Sequence, residues 1–363
     1  MDWKKISFAS TDRDFSATLN KRVSEYFKAK GLSRHGNFEM VIKTVVMFSL
    51  YFVPYGLLIT GSVTSVWGLI ALIIVMGLGL AGIGLSVMHD ANHGAYSSKR
   101  WLNTTIGYSM NLIGANAFNW KMQHNVMHHT YTNIHEEDED ISPRGVLRLS
   151  PHSAWKKMHQ YQFIYAWFLY GLMTLTWMFV KDFTRLAQYH KSGLIKQHNF
   201  SVTREFIILV ASKIFYIGYI FIIPLVFTSL AWWQVLIGIV IMHYIAGFIL
   251  AIIFQPAHVI EGTEYPLPDE NRKLENNWAV HQLLTTTNFG NRSRWFSWYV
   301  GGLNFQIEHH LFPNICHVHY RKISSIVKET ALEFGLPYKS SRTFISALAG
   351  HARLLKQLGV RPA

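Results

Sequence analysis

Four long apolar runs dominate the pattern of hydrophobic and polar positions, and they fall in two pairs: residues 41–59 with 66–88, and 206–227 with 232–254. Each run is close to the ~20 residues a helix needs to cross ~30 Å of hydrocarbon. The connections within the pairs, 60–65 and 228–231, are short and carry no charge. The pattern therefore predicts two helical hairpins. Two weaker apolar stretches stand apart. Residues 104–118 are too short to span and include Asn111 and Asn116, while 163–180 is nearly long enough. Both are expected to lie along the membrane interface, the second with Trp155, Tyr161, Tyr165, Trp167 and Trp177 as aromatic anchors. Lys213, inside the third run, is expected to snorkel to the interface.

Composition supports this reading. The chain is 50% hydrophobic and only 15% charged, against roughly 25% charge in soluble proteins. Its formal net charge is +13, and every Lys and Arg lies outside the two short turns. By the positive-inside rule, both termini and the basic segments are expected on the cytoplasmic side. A basic surplus there suits anionic headgroups, an acidic substrate or a redox partner. The charges are dispersed and form no recognition motif, which argues against nucleic acid. Residues 1–40 are polar and mixed in charge, so no signal peptide is expected. The lone Cys316 excludes an internal disulfide. The expected organisation is a cytosolic segment (1–40), a membrane domain (41–325) and a second cytosolic segment (326–363).

The chemistry lies in the histidines. Seven of the nineteen fall in three clusters beside the apolar runs: His89-Asp-Ala-Asn-His93, His124-Asn-Val-Met-His128-His129 and Gln306-Ile-Glu-His309-His310. Steps of three and four residues place side chains on one helical face, and neutral imidazole is a good ligand for divalent transition metals. The clusters point to a metal centre at the cytoplasmic boundary. They share one centre only if the chain crosses an even number of times between the second and third, which is why 163–180 is assigned to the interface. His258, just past the fourth run, is an eighth ligand candidate, with Pro256 expected to break the helix and turn the ring inward. His281 is a ninth, with less support.

Neighbouring residues have several readings. Asp90 and Glu308 are candidates to accept a hydrogen bond from a ligand ring. Gln306 is a direct ligand, a water-mediated contact or neither. Asp138 and Asp140 belong to a solvated acidic run, or they support His128 and His129, or they form a docking patch. His35, His135, His152, His159, His190, His198, His243, His317, His319 and His351 are read as hydrogen-bonded structure. Eight imidazoles supply four nitrogens to each of two metals, and that count suits zinc as well as iron.

At these residues the chain resembles the membrane fatty acid desaturases, whose three histidine boxes read here as HDANH, HNVMHH and QIEHH. The Gln heading the third box, within Gly301–Pro313, is similar to that of the front-end branch, which includes delta-6 and linoleoyl-CoA desaturases. The resemblance covers about residues 40–325. It implies an all-α integral membrane fold with four spans and a helical cap over two irons. The implied ligands are His89, His93, His124, His128, His129, His258, His309 and His310. It also implies molecular oxygen as co-substrate and insertion of a double bond into an acyl-CoA or acyl-lipid chain. Many front-end relatives carry a fused cytochrome b domain with a His-Pro-Gly-Gly motif. Residues 1–40 have none, so electrons are expected from a separate donor, a ferredoxin or a free cytochrome.

For the acyl chain, an apolar tunnel is expected to use Trp120, Trp278, Phe289, Trp295, Phe296 and Trp298, although each also suits plain interfacial anchoring. Lys121, Arg292 and Arg294 are candidates to hold an anionic thioester or headgroup. The nearest alternative is a hydroxylase on the same scaffold. A more distant one is a membrane metal carrier without oxygen chemistry.

Overall fold

The computed structural model describes residues 5–10, 13–142 and 145–362, so the first four residues of the expected N-terminal segment lie outside the described part. Among the described residues four helices are long and apolar enough to cross a membrane: Phe38–Ile59, Val66–Asn92, Val202–Phe227 and Trp232–His258. These match the four apolar runs but extend further at the ends away from the short turns. Polar caps, which hydropathy does not register, set two of the starts. The Asn37 side chain accepts from the Met40 amide, and Ser201 does the same for Arg204. The second span runs on through the first histidine cluster, and the fourth runs to His258. Pro256 does not break that last helix, contrary to expectation. A proline one turn from a helix end removes a single backbone bond and leaves the terminus helical.

Glycines bring the spans close together. A Cβ on Gly79 would sit 2.6 Å from the Tyr51 amide nitrogen of the first span. One on Gly77 would sit 3.0 Å from the Met242 carbonyl of the fourth. Such small-residue contacts let helix backbones approach where no hydrophobic driving force acts between them.

Three expectations need correcting. The segment 163–180 is not a single interfacial helix: Lys157–Gly171 and Met173–Lys191 meet at a bend of 59° and pack against the fourth span. Trp177, expected as an anchor, is half-buried and lines a cavity with His124 and His258. Residues 104–118 are broken into Arg100–Gly107, Ser109–Leu112 and Ala117–Trp120. The break includes Gly114, whose φ of +92° is open to glycine and which presses on the Tyr216 ring. Lys213 does not snorkel. It is buried, with its ammonium 2.6 Å from the Asp182 carboxylate and donating to the carbonyls of Gly114 (2.7 Å) and Trp177 (3.0 Å). A carboxylate and two carbonyls supply inside the protein what water would supply at the interface.

Two short parallel ladders tie the chain ends down, Ser7–Phe8 with Lys273–Leu274 and Asn288–Phe289 with Ser340–Ser341. The helix Arg13–Lys30 buries Phe15, Leu19 and Val23 against Ile323 and Val327 of Tyr320–Glu333, in one core with Ile307 of the third cluster.

Candidate metal centre

The three histidine clusters arrive by different routes. The second span passes through a π-helical turn, Ile83–Val87, and then presents His89 within Met88–Asn92, with His93 as its C-cap. Gly301 fixes the approach of the third cluster. Its φ is +63°, and a Cβ there would lie 2.8 Å from the Ser86 Cα, so the chain ahead of Gln306–Leu311 rests on the π-turn backbone. The second cluster lies on a π-helix, Lys121–His128. There i and i+5 share a face, so His124 and His129 point together, with their Nε2 atoms 3.2 Å apart. A regular α-helix would instead turn His129 about 140° from His124. The fourth span ends on His258.

Eight imidazoles converge. His89, His93, His124 and His309 form one set with ligand atoms all within 4.8 Å of one another, and His128, His258 and His310 form a second. His129 groups with His309 and His310, which joins the two sets. Ring centroids lie 4.6 Å apart for His89 and His309, and 4.7 Å for His128 and His258.

Several ring nitrogens in this centre have no protein partner. They are both nitrogens of His89, Nε2 of His93, His258, His309 and His310, and Nδ1 of His129. A buried polar atom left unpaired costs about 1–3 kcal/mol, so the centre is made to receive something that accepts lone pairs. The opposite nitrogens are held. His309 Nδ1 meets the Tyr320 hydroxyl at 3.2 Å, and His310 Nδ1 donates to the Gln282 side-chain oxygen at 2.9 Å. His258 Nδ1 faces the Thr285 carbonyl at 3.3 Å, and His128 Nδ1 donates to Asp138 at 3.0 Å. A ring fixed at one nitrogen and open at the other is the usual arrangement of a metal-binding histidine.

Protonation agrees with this. Burial, and then the neighbouring rings, hold His93, His124, His129, His309 and His310 well below the usual imidazole range. These rings are neutral, as ligands must be. His128 differs. Burial lowers its affinity for a proton, but the Asp138 and Asp140 carboxylates outweigh that and raise it to about 9. The donor set of imidazole nitrogens in two adjoining groups fits two transition-metal ions.

The other candidates fall into place around these rings. Both polar atoms of the Gln306 amide are buried without a partner. Asp140 lies 3.5 Å from His128 and 3.9 Å from His124. Asp90 sits 3.7 Å from His89, and its firm bonds go to the backbone and ring of His317, whose other nitrogen meets Lys43. Glu308 turns away from the imidazoles to Tyr338 and Asn288, and burial pushes its carboxyl up to about 7. His281 belongs to neither set, because its Nε2 donates to the Thr132 carbonyl.

Trp120 packs over the rings, 4.5 Å from His124, and Trp278 donates to the His129 carbonyl from behind. Phe289 and Phe296 stack with Phe344 in a separate core, and Trp298 lies under Lys43. Lys121 lines a polar groove beside Asn92 with Arg100. Arg292 lines another groove with Ser293 and Arg342, while Arg294 and Trp295 are exposed. The tunnel expected from these aromatics is therefore not formed by Phe289, Trp295, Phe296 or Trp298. A cavity of about 60 Å³ instead reaches His124, His128 and His258 between Trp177, Lys181 and Phe254.

Gln282, Tyr320 and Asn133 escape a reading of the sequence. Asn133 (φ +59°) donates to the His258 carbonyl at 2.9 Å, and its amide donates to Asp138. An Asn just past a His-His pair hints at a left-handed turn, but nothing local marks the other two.

Comparison with known proteins gives a consistent picture. The fatty acid desaturase family model matches residues 65–342. The chain is 35% identical over 360 residues to an sn-1 linoleoyl-lipid 6-desaturase of Arthrospira platensis, covering 99% of this chain and 96% of that one. It is likewise 35% identical to the enzyme of that name from Synechocystis, with 98% of each chain covered. An acyl-lipid (8-3)-desaturase of Physcomitrium patens is 38% identical, over 99% of this chain and 75% of its own.

Proposed function

The chain belongs to the fatty acid desaturase family, and from that premise we propose that it inserts a double bond into acyl chains carried on membrane lipid. The site we propose is a pair of irons held by His89, His93, His124, His128, His129, His258, His309 and His310. The observation that carries this is the convergence of eight rings in two adjoining groups, six of which hold a buried ring nitrogen without a protein partner. The relatives named as linoleoyl-lipid and acyl-lipid desaturases support a lipid-linked substrate and a double bond near the carboxyl end.

Bound iron supplies, with dioxygen, the oxidising power that no side chain possesses. The reaction removes one hydrogen from each of two adjacent methylenes. Dioxygen is reduced to two waters, with two further electrons and two protons arriving from a donor. The residues of this chain hold and shape the site. Asp138, Gln282, Tyr320 and the Thr285 carbonyl fix ring orientation. Trp120 and Phe254 cover the rings and keep water away from them. The cavity beside Trp177 and Phe254 receives the methylene segment. A ferredoxin or free cytochrome acts as donor, and the partly exposed His93 supports electron entry on that side. The uncharged turns at 60–65 and 228–231 support a two-hairpin topology with the centre and both termini on the cytoplasmic face.

The test is expression of the full chain in a host lacking polyunsaturated lipids, supplied with defined fatty acids and followed by mass spectrometry of each lipid class. New cis double bonds that depend on His128 and His309 are expected. Hydroxylated products, or none, would overturn the reading.

A further inference from the structure

The ladder between Asn288–Phe289 and Ser340–Ser341 continues in a bond from the Gly290 amide to the Ser341 carbonyl at 3.1 Å. Its strands run parallel, so the segments that follow them, with Arg292 and Arg342, leave the ladder side by side. Together with Ser293 and Thr343 these arginines border a groove of about 460 Å³. The half-buried rings of Phe296 and Phe344, 4.9 Å apart, form its floor beneath the exposed guanidinium groups. No histidine of the metal centre borders it.

The groove is built for an anion. Among the described residues, Arg292, Arg294 and Arg342 have no carboxylate partner, unlike Arg22, Arg185, Arg272 and Arg353. Arg321 donates to the Ser293 carbonyl at 3.1 Å, and burial followed by the charge of Arg294 lowers its proton affinity. Positive charge is thus gathered here without neutralisation. The hydroxyls of Ser293 and Thr343 accept from the amides of Phe296 and Ser346, which leaves each O–H able to donate elsewhere. Two guanidinium groups and two hydroxyl donors suit a group with several anionic oxygens.

Depth decides which anion. The helix Arg294–Tyr299 follows directly on Ser293, and the Tyr299 hydroxyl donates to the Leu78 carbonyl at 3.0 Å. Leu78 lies well inside the second span, so this short helix runs alongside that span instead of beyond its end. Trp295 sits one turn before Tyr299 and shares its face, yet it is 86% exposed. Ile345, which also borders the groove, is 77% exposed. At this level an exposed indole is covered by lipid, and arginines beside it meet headgroups. An acidic protein segment would match the arginines but leave the indole unmet.

We propose that this groove binds the phosphate headgroup of an anionic membrane phospholipid. Arg292 and Arg342 hold the phosphate oxygens, Arg294 adds attraction from the rim, and Trp295 and Ile345 rest among the first acyl methylenes. The assignment is independent of the desaturase reading, because it concerns binding and no reaction step.

The experiment uses the full chain purified in neutral detergent, with retained lipid counted by native mass spectrometry. Phosphatidylglycerol and phosphatidylcholine are supplied together in equal amounts. The parent is expected to retain phosphatidylglycerol preferentially, and Arg292→Gln combined with Arg342→Gln to lower that preference about tenfold or more. Lys21→Gln combined with Lys28→Gln removes the same charge from exposed positions on Arg13–Lys30 and should leave the preference unchanged. Trp295→Ser should weaken retention of both lipids alike. Arg342→Gln alone decides the matter if the double variant does not accumulate. A preference that survives loss of the arginines, or that the lysine pair abolishes equally, would overturn the proposal. So would displacement of the lipid by inorganic phosphate alone, which would make the groove a site for free anions. Turnover is not measured, so each of these outcomes leaves the desaturase reading intact.

Discussion

The Nε2 atoms of His124 and His129 face each other across 3.2 Å although the residues are five apart in sequence. On an α-helix they would point about 140° apart. The π-winding of Lys121–His128 turns them onto one face, and through this His129 meets both His309 and His310. The second cluster therefore serves both groups of rings.

Removing one ring from each group tests the pairing. His93→Ala and His258→Ala are each expected to lower activity more than ~100-fold, since loss of a mere supporting partner already costs 10–100-fold. Iron per chain, measured by atomic emission, should fall in both. Full iron with either ring removed would contradict the grouping.

Asp138 receives His128 Nδ1 at 3.0 Å and also the amides of Asn133 and Asp140. Asp138→Asn keeps the shape but loses the charge that orients the ring. Iron affinity is expected to drop about 10–100-fold, read by titration with a competing chelator while the helical circular dichroism stays constant.

The buried pair Lys213–Asp182 predicts an asymmetry. Lys213→Met leaves Asp182 buried and uncompensated, at a cost of about 3–5 kcal/mol. Adding Asp182→Asn removes that lone charge, so the double variant should recover part of the loss. Thermal unfolding in detergent provides the measurement, and equal melting of single and double variants would count against an ion pair.

Gly301 combines a φ of +63° with backbone pressed against the π-turn at Ser86. Gly301→Ala is expected to destabilise by at least about 1–3 kcal/mol and to loosen iron binding, because it shifts the segment that carries His309 and His310. A variant with the parent's melting temperature and iron content would show that the contact yields.

Acid should weaken the docking of the C-terminal helix Phe344–Gly359. His351 is fully buried there, between the Tyr170 hydroxyl at 2.7 Å and the Val259 carbonyl at 2.5 Å, and burial lowers its proton affinity to about 4. Unfolded, it takes up a proton near pH 6.5. The stability it contributes is thus complete above that pH and is lost progressively as pH falls from 6.5 toward 4, by about 3 kcal/mol at most. His351→Gln should flatten the fall in melting temperature across that window, and an unchanged slope would exclude His351 as its source.

The four spans and the three histidine clusters were legible in the amino-acid sequence because both are local properties. A span needs only length and apolarity, and a ligand pair needs only spacing. His258 was legible for the same reason, through its place at the end of an apolar run. What the tertiary structure alone decided is non-local or depends on winding. The π-turns that redirect His89 and His129 differ from α-helix by one residue per turn and leave no mark in hydropathy. The partners that hold the rings, Tyr320 and Gln282, lie 11 and 28 positions from His309 and His310 and meet them only through packing. Lys213 looked like a residue escaping to water because its carboxylate, thirty-one positions away, becomes a neighbour only when the bent helix pair folds back against the third span.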